Sequence, residues 1–302
     1  MIGPKVSNPQ LQLLIDNAFG VLSLYQTPDA TLRVLFSGGK DSTVVAHLAS
    51  YHPAFNGVAH IVTKTGPASI KHSRAVVALA ENNHWDCLTK EPATSFEMLV
   101  AKFGCPGPAA HSYMYRYLKE RPIRQLAIQA RSKDRKKRVL WASGIRRAES
   151  AARQQGATER TVVSSLEWWI NPILDWSDED VRHYIEAFDL KVPHWNHSID
   201  CFCGAYATPE ERALIAIADP DQYQYILLTE QIARAGREIQ LLEVKLGVRK
   251  EQDVIPEEYC TWGHGLNRER LKEMKTSGPT ICNKCGVVDE ILRQKQIASD
   301  TI

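Results

Sequence analysis

Residues 32–48 read Leu-Arg-Val-Leu-Phe-Ser-Gly-Gly-Lys-Asp-Ser-Thr-Val-Val-Ala-His-Leu, and they constrain the fold more than any other stretch of the chain. The apolar run Leu32 to Phe36 reads as a buried strand. It stops at Ser37-Gly38-Gly39, and a helical pattern starts at once with Thr43, Val44, Val45, Ala46 and Leu48. A strand, a glycine turn and a helix in that order aim backbone N–H groups and a helix N-terminus at an anion. Gly38 and Gly39 put no side chain between a phosphate and the backbone. Lys40 adds a mobile positive charge, while Ser37, Asp41 and Ser42 are suited to capping the helix or to holding a phosphate or Mg²⁺.

The flanking chain alternates strand and helix. An amphipathic helix is expected over 9–26, and a second strand over Val58–Thr63 ends in Lys64-Thr65-Gly66-Pro67. A helix is expected from Ser69 to Asn82, a weaker strand near Trp85–Thr89, a helix through Phe96, Leu99, Val100 and Phe103, and another over Ile123–Ala130. The strand Val139–Ser143 runs into Gly144. This alternation predicts an α/β fold, a parallel twisted sheet flanked by helices and Rossmann-like in layout. Its ligand belongs at the carboxyl ends of the strands, where Ser37–Gly39 and Thr65-Gly66 fall.

At 302 residues the chain can hold one α/β domain of about 200 residues and a smaller helical region. The expected division is 1–200 for nucleotide binding and 201–302 for a helical, cysteine-bearing region. A formal net charge of +2 gives no general nucleic-acid signal. The local run Arg131-Ser-Lys-Asp-Arg-Lys-Lys-Arg138 reads either as a solvated turn or as a contact for nucleic acid or an acidic partner. No apolar run approaches the roughly 20 residues of a membrane span, and no secretory signal is read at the N-terminus. A cytoplasmic, reducing setting is therefore expected, in which the seven cysteines serve metal binding or catalysis rather than disulfides.

Ser37-Gly-Gly-Lys-Asp-Ser42 resembles the PP-loop of the adenine nucleotide α-hydrolase superfamily and is not a Walker A loop. Gly144-Ile-Arg-Arg-Ala-Glu-Ser-Ala-Ala-Arg153 is similar to a signature of the phosphoadenosine phosphosulfate (PAPS) reductase family. Asn171-Pro-Ile-Leu-Asp-Trp-Ser-Asp-Glu-Asp-Val181 and Val192-Pro-His-Trp-Asn196 through Cys203 resemble two further segments of that family. The four motifs cover about residues 30 to 205, in the right order. The resemblance implies an adenine nucleotide, ATP or PAPS, held by Ser37, Gly38, Gly39, Lys40, Asp41, Ser42, Thr65, Gly66, Gly144, Arg146, Arg147, Arg153 and Lys119, with Lys40, Asp41 and Arg146 catalytic. Guanidinium forks at Arg146, Arg147 and Arg153 suit phosphate or sulfate, although Arg147 also reads as a solvent-facing helix residue and Glu149 as an i, i+4 partner of Arg153.

Cys201, Cys203, Cys260, Cys282 and Cys285 lie in the last third of the chain, and Cys282-Asn-Lys-Cys285 has metal-knuckle spacing. Cys203, Cys260, Cys282 and Cys285 form the expected ligand set for a [4Fe–4S] cluster or Zn²⁺, with Cys201 spare and Cys87 and Cys105 as bystanders. Relatives that reduce adenylyl sulfate carry paired cysteines where this chain has Met114-Tyr115, and the reductases' Glu-Cys-Gly-x-His tail has no counterpart after Cys285. The resemblance therefore implies, first, an ATP pyrophosphatase that adenylates an acceptor for sulfur insertion, like the sulfur-transfer component of bacterial DNA phosphorothioation systems. Such a component works with Mg²⁺, DNA, a cysteine desulfurase or other sulfur donor, and companion phosphorothioation subunits. Its alternative is a PAPS or adenylyl-sulfate reductase.

Overall fold

The computed structural model describes residues 3–107, 111–131, 136–149, 154, 156–193, 204 and 209–262. Helix α1 (Pro9–Leu24) starts where the Asn8 side chain accepts from the N–H groups of Gln10 and Leu11, with Pro9 supplying a helical φ. Its Leu11, Ile15, Ala18, Phe19 and Leu22 form one buried stripe. Strand β1 (Ala30–Leu35) leads through the glycine turn into α2 (Lys40–Ser50). Then follow β2 (Phe55–Ile61), α3 (Pro67–Asn82), β3 (Cys87–Lys90) and α4 (Phe96–Phe103). The short α5 (His111–Tyr115), a π-helical turn (Arg116–Glu120) and α6 (Arg121–Arg131) bring the chain to β4 (Arg138–Ala142).

Beyond β4 the pattern changes. Strands β5 (Arg160–Ser164) and β6 (Glu167–Ile170) form an antiparallel hairpin, and α7 (Asp178–Ala187) begins behind a reciprocal capping box of Ser177 and Asp180. The strand order is β3-β2-β1-β4-β6-β5, parallel throughout except for β5. The expected α/β fold is thus observed, with β1 and β4 at the centre of the sheet and β5 added at one edge.

The sheet is covered on both faces. Leu32 and Val34 pack with α1, α2 and α7, while Trp141 and Val139 pack with Ile123, Leu126 and Ala127 of α6. A second apolar group lies beside this core. It joins Phe96, Leu99 and Val100 of α4 to Ile215 of α8 (Pro209–Ala218) and to Ile226 and Ala233 of α9 (Pro220–Lys245). Cys105, Cys260 and Trp262 belong to the same group, so it draws on both sides of residue 200. Helix α9 touches two places of interest. Near its start, Gln222 packs on the loop after β2, and two turns on, Thr229 and Glu230 hold Trp262.

Candidate nucleotide site

The turn after β1 is shaped by its two glycines in different ways. Gly38 has φ +71°, and a Cβ there would meet Val76 Cγ2 at 2.7 Å, so only glycine fits without strain. Gly39 is the N-cap of α2 in extended conformation and offers no side chain to the helix end. The N–H groups of Lys40, Asp41 and Ser42 have no acceptor among the described residues, which leaves the N-terminus of α2 open to an anion. Ser42 braces the turn from inside, its hydroxyl donating to the Gly39 carbonyl at 3.0 Å and accepting from the Ser37 N–H at 3.3 Å. Ser37 Oγ lies 3.2 Å from Ser42 Oγ, and His72 Nε2 contacts the Ser37 carbonyl at 3.0 Å. Ser42 acts as an internal tie as well as a candidate ligand.

Strand β4 delivers Gly144 to the same place. A Cβ on Gly144 would fall 2.7 Å from the Asp41 carbonyl carbon and 2.8 Å from the Ser42 nitrogen. The backbone it approaches is the chain's own loop. Two residues on, Arg146 is 1 % exposed, and its guanidinium is fully engaged. Nε donates to Asp41 Oδ1 at 2.7 Å, Nη2 to Asp178 Oδ1 at 2.7 Å and Nη1 to the Trp176 carbonyl at 3.2 Å. The Lys40 ammonium pairs with the same Asp178 oxygen. Burial pushes the Asp41 carboxyl up against the pull of Arg146, whereas the Lys40 hydrogen bond leads the effects that hold Asp178 below the usual carboxylate range. Two cations and two carboxylates thus form one network across β1–α2, β4 and α7.

Asp178 was absent from the sequence-derived set. Its only signal was its place inside the Asp-Trp-Ser-Asp segment, one residue past the helix cap. Arg147 lies further out, paired with Asp175, and its N–H donates to the Leu174 carbonyl at 2.8 Å. Arg153 lies outside the described residues. Lys119 stands half-buried on the π-helical turn. Thr65 is buried, and its N–H donates to Ser69 Oγ at 2.8 Å. Gly66, at φ +120°, faces α9: a Cβ there would fall 2.5 Å from Gln222 Oε1, which itself accepts from the Ala68 N–H at 3.1 Å. One of the open N–H groups of α3 is therefore capped by α9, so the loop after β1 is the more accessible anion site.

The cysteines divide. Cys201, Cys203, Cys282 and Cys285 lie outside the described residues. Cys260 is buried next to Cys105, whose N–H donates to the Tyr259 carbonyl at 2.6 Å. Burial, and then the neighbouring Glu230 carboxylate and Cys260 thiol, push the Cys105 thiol up to about 12. Gly204, at φ +76°, packs its backbone against the Trp262 ring, two residues past Cys260. Cys105, expected to be a bystander, thus sits against the cysteine-bearing segment. Cys87 on β3 is pushed to about 11 by burial.

Among solved structures, the chain is similar to a Candida auris phosphoadenylyl-sulfate (PAPS) reductase in its phosphate complex, at 18 % identity and a TM-score of 0.40 over 63 % of this chain and 91 % of that one. It is also similar to the U34-tRNA thiolase NcsA of Methanococcus maripaludis with its [4Fe-4S] cluster, at 14 % identity and a TM-score of 0.41 over 76 % and 80 %. A third likeness is to a predicted subunit of tRNA methyltransferase from Methanocaldococcus jannaschii, at 17 % identity and a TM-score of 0.32 over 52 % and 75 %. No curated protein matches the chain. The model of the phosphoadenosine phosphosulfate reductase domain matches residues 31–195, from β1 through the glycine turn, the Arg146 strand end and α7. The glycine turn and its Lys40–Asp178–Arg146–Asp41 network therefore sit within a chain that belongs to the phosphoadenosine phosphosulfate reductase domain family.

Proposed function

We propose that the chain is an ATP pyrophosphatase that adenylates an acceptor for sulfur insertion, with the DNA backbone as that acceptor. The observation that carries this reading is the open N-terminus of α2 behind Gly39, with Lys40 beside it. There the N–H groups of Lys40, Asp41 and Ser42 would hold the β- and γ-phosphates while Lys40 neutralises them. An acceptor oxygen attacks the α-phosphorus, the α–β bond breaks and pyrophosphate leaves. Sulfur then displaces AMP from the adenylated acceptor. Asp41 fits Mg²⁺, since Arg146 occupies only one of its carboxylate oxygens, and the ion would supply charge neutralisation on the phosphates. The basic run of the sequence ending at Arg138 is assigned to the acceptor strand on its charge.

The thiols at Cys105 and Cys260 fit a soft metal, because they are buried together and give up their protons only to a strong competitor for sulfur. Cys260, with Cys203, Cys282 and Cys285, would make the four-thiolate set of a [4Fe–4S] cluster or Zn²⁺, with Cys105 beside it. A reductase is the second reading, favoured by the family match over residues 31–195. It needs a thiolate nucleophile to release sulfite. Among the described residues, burial pushes the Cys87, Cys105 and Cys260 thiols up, so none of these three is a ready thiolate nucleophile.

The test is an anaerobic preparation assayed for pyrophosphate release from ATP–Mg²⁺, with an absorption spectrum of the same sample. Pyrophosphate release that Lys40→Ala abolishes, together with a broad brown band at the visible–ultraviolet edge, supports the sulfur-insertion enzyme. A protein inert to ATP that frees sulfite from PAPS with a thiol donor is a reductase.

A further inference from the structure

Asp178 opens α7 directly after the Ser177 cap, and its carboxylate reaches back over the glycine turn. One oxygen, Oδ1, accepts from both the Lys40 ammonium and Arg146 Nη2. The two donors are held very differently. Arg146 is buried, and its Nε and Nη1 are fixed by Asp41 and the Trp176 carbonyl, so its link to Asp178 is part of the packed core. Lys40 and Asp178 keep 46 % and 70 % of their side-chain surface in water, and an exposed pair of this kind exchanges partners readily.

The carboxylates around Asp178 have other duties. Asp180 closes the capping box on Ser177, Glu179 pairs with Arg182 on the outer side of α7, and Asp175 pairs with Arg147. Asp41 also feels the Lys40 charge but is held by Arg146, so Asp178 is the carboxylate that an incoming phosphate would displace from Lys40. Its Lys40 hydrogen bond and the neighbouring guanidinium keep it ionised, so it competes as a full negative charge at neutral pH.

We propose that Asp178 is a built-in rival of the nucleotide phosphate. Given the nucleotide reading of the loop, binding requires the phosphate to take Lys40 away from this carboxylate, and Asp178 thereby sets affinity and favours ligands with a multiply charged phosphate tail. Arg146 stays with Asp178 and Asp41 throughout and acts as the fixed post of the exchange.

The experiment is calorimetric titration of the full chain and of Asp178→Asn, Asp178→Ser and Glu179→Gln. The probes are ATP in EDTA, ATP with Mg²⁺, and adenosine. Asparagine keeps an acceptor for Arg146, serine is too short to reach Lys40, and Glu179→Gln removes one charge from the same helix turn without touching the loop. Asp178→Asn and Asp178→Ser are expected to lower the Kd for ATP about three- to fivefold at low salt. The gain should shrink as salt screens the site, and it should be absent for adenosine and for Glu179→Gln. Tighter binding by either Asp178 variant, with Glu179→Gln at the wild-type value, supports the proposal. Unchanged or weaker ATP binding by both Asp178 variants overturns it, as does an equal gain in Glu179→Gln. Weakening confined to ATP with Mg²⁺ overturns it too, since Asp178 is then a metal ligand. In all of these the wild type still binds ATP; loss of ATP binding by every form, wild type included, instead overturns the nucleotide reading itself.

Discussion

Gly38 and Gly39 are neighbours with opposite requirements. Gly38 is needed by the fold, because its positive φ and the Val76 methyl leave no room for a side chain; Gly38→Ala is expected to cost about 1–3 kcal/mol in thermal or denaturant unfolding. Gly39 has an ordinary φ, and a Cβ there would stand 3.5 Å from Ser37 Oγ in the mouth of the turn. Gly39→Val is expected to unfold at nearly the wild-type temperature while losing ATP binding in the same titration. The sequence showed that both positions were glycine, but only the dihedral angles separate their roles. Asp178 was harder to find for the same kind of reason: its partners Lys40 and Arg146 lie 138 and 32 residues away.

His47, on α2, adds a pH test at the same scale. Burial lowers it to about 4, with Nδ1 against the Tyr184 hydroxyl at 2.8 Å. In the unfolded chain it regains its ordinary value near 6.5, so between these values the unfolded state binds the extra proton and stability falls as pH falls. From pH 7 to 4 the loss from this group is about 2 kcal/mol once its partial solvent access is allowed for. His47→Gln should remove that part of the slope in urea titrations at several pH values. A variant as acid-sensitive as the wild type would show that the slope arises elsewhere.

At the scale of elements, helices and parallel strands followed the hydrophobic period closely. The strand expected at Val139–Ser143 is β4 at Arg138–Ala142, and the helix expected over 9–26 is α1 at Pro9–Leu24. The β5–β6 hairpin escaped notice, because every residue of β5 is exposed and no alternation marks it. The helical region expected after residue 200 also breaks at Asp219-Pro220, where α9 starts afresh behind the Asp219 cap. Helix α9 crosses α4 at Gly236, where any Cβ would collide with the Ala101 carbonyl. Gly236→Ala should therefore push the two helices apart, at a cost of about 1–3 kcal/mol in unfolding. A variant that matches the wild type would mean that the crossing yields easily.

On the scale of the whole molecule, the sheet and its flanking helices hold the candidate nucleotide site, and the α4–α8–α9 group holds Cys105 and Cys260. The sequence motifs revealed the first almost completely, since strand, turn and helix are contiguous there. The second was legible only as cysteines, because Cys105 meets Cys260 through a contact that joins positions far apart in the chain. Helix α9 links the two regions, with Gln222 against the loop after β2 and Thr229 against Trp262. Seven residues of helix separate these contacts, a rise of about 10 Å. A helix is a ruler that neither stretches nor shortens in a reaction cycle. The loop after β2 and the Trp262 segment therefore stay at constant separation, and in the proposed reaction a sulfur atom leaving the cysteine pocket would have to be carried across that span.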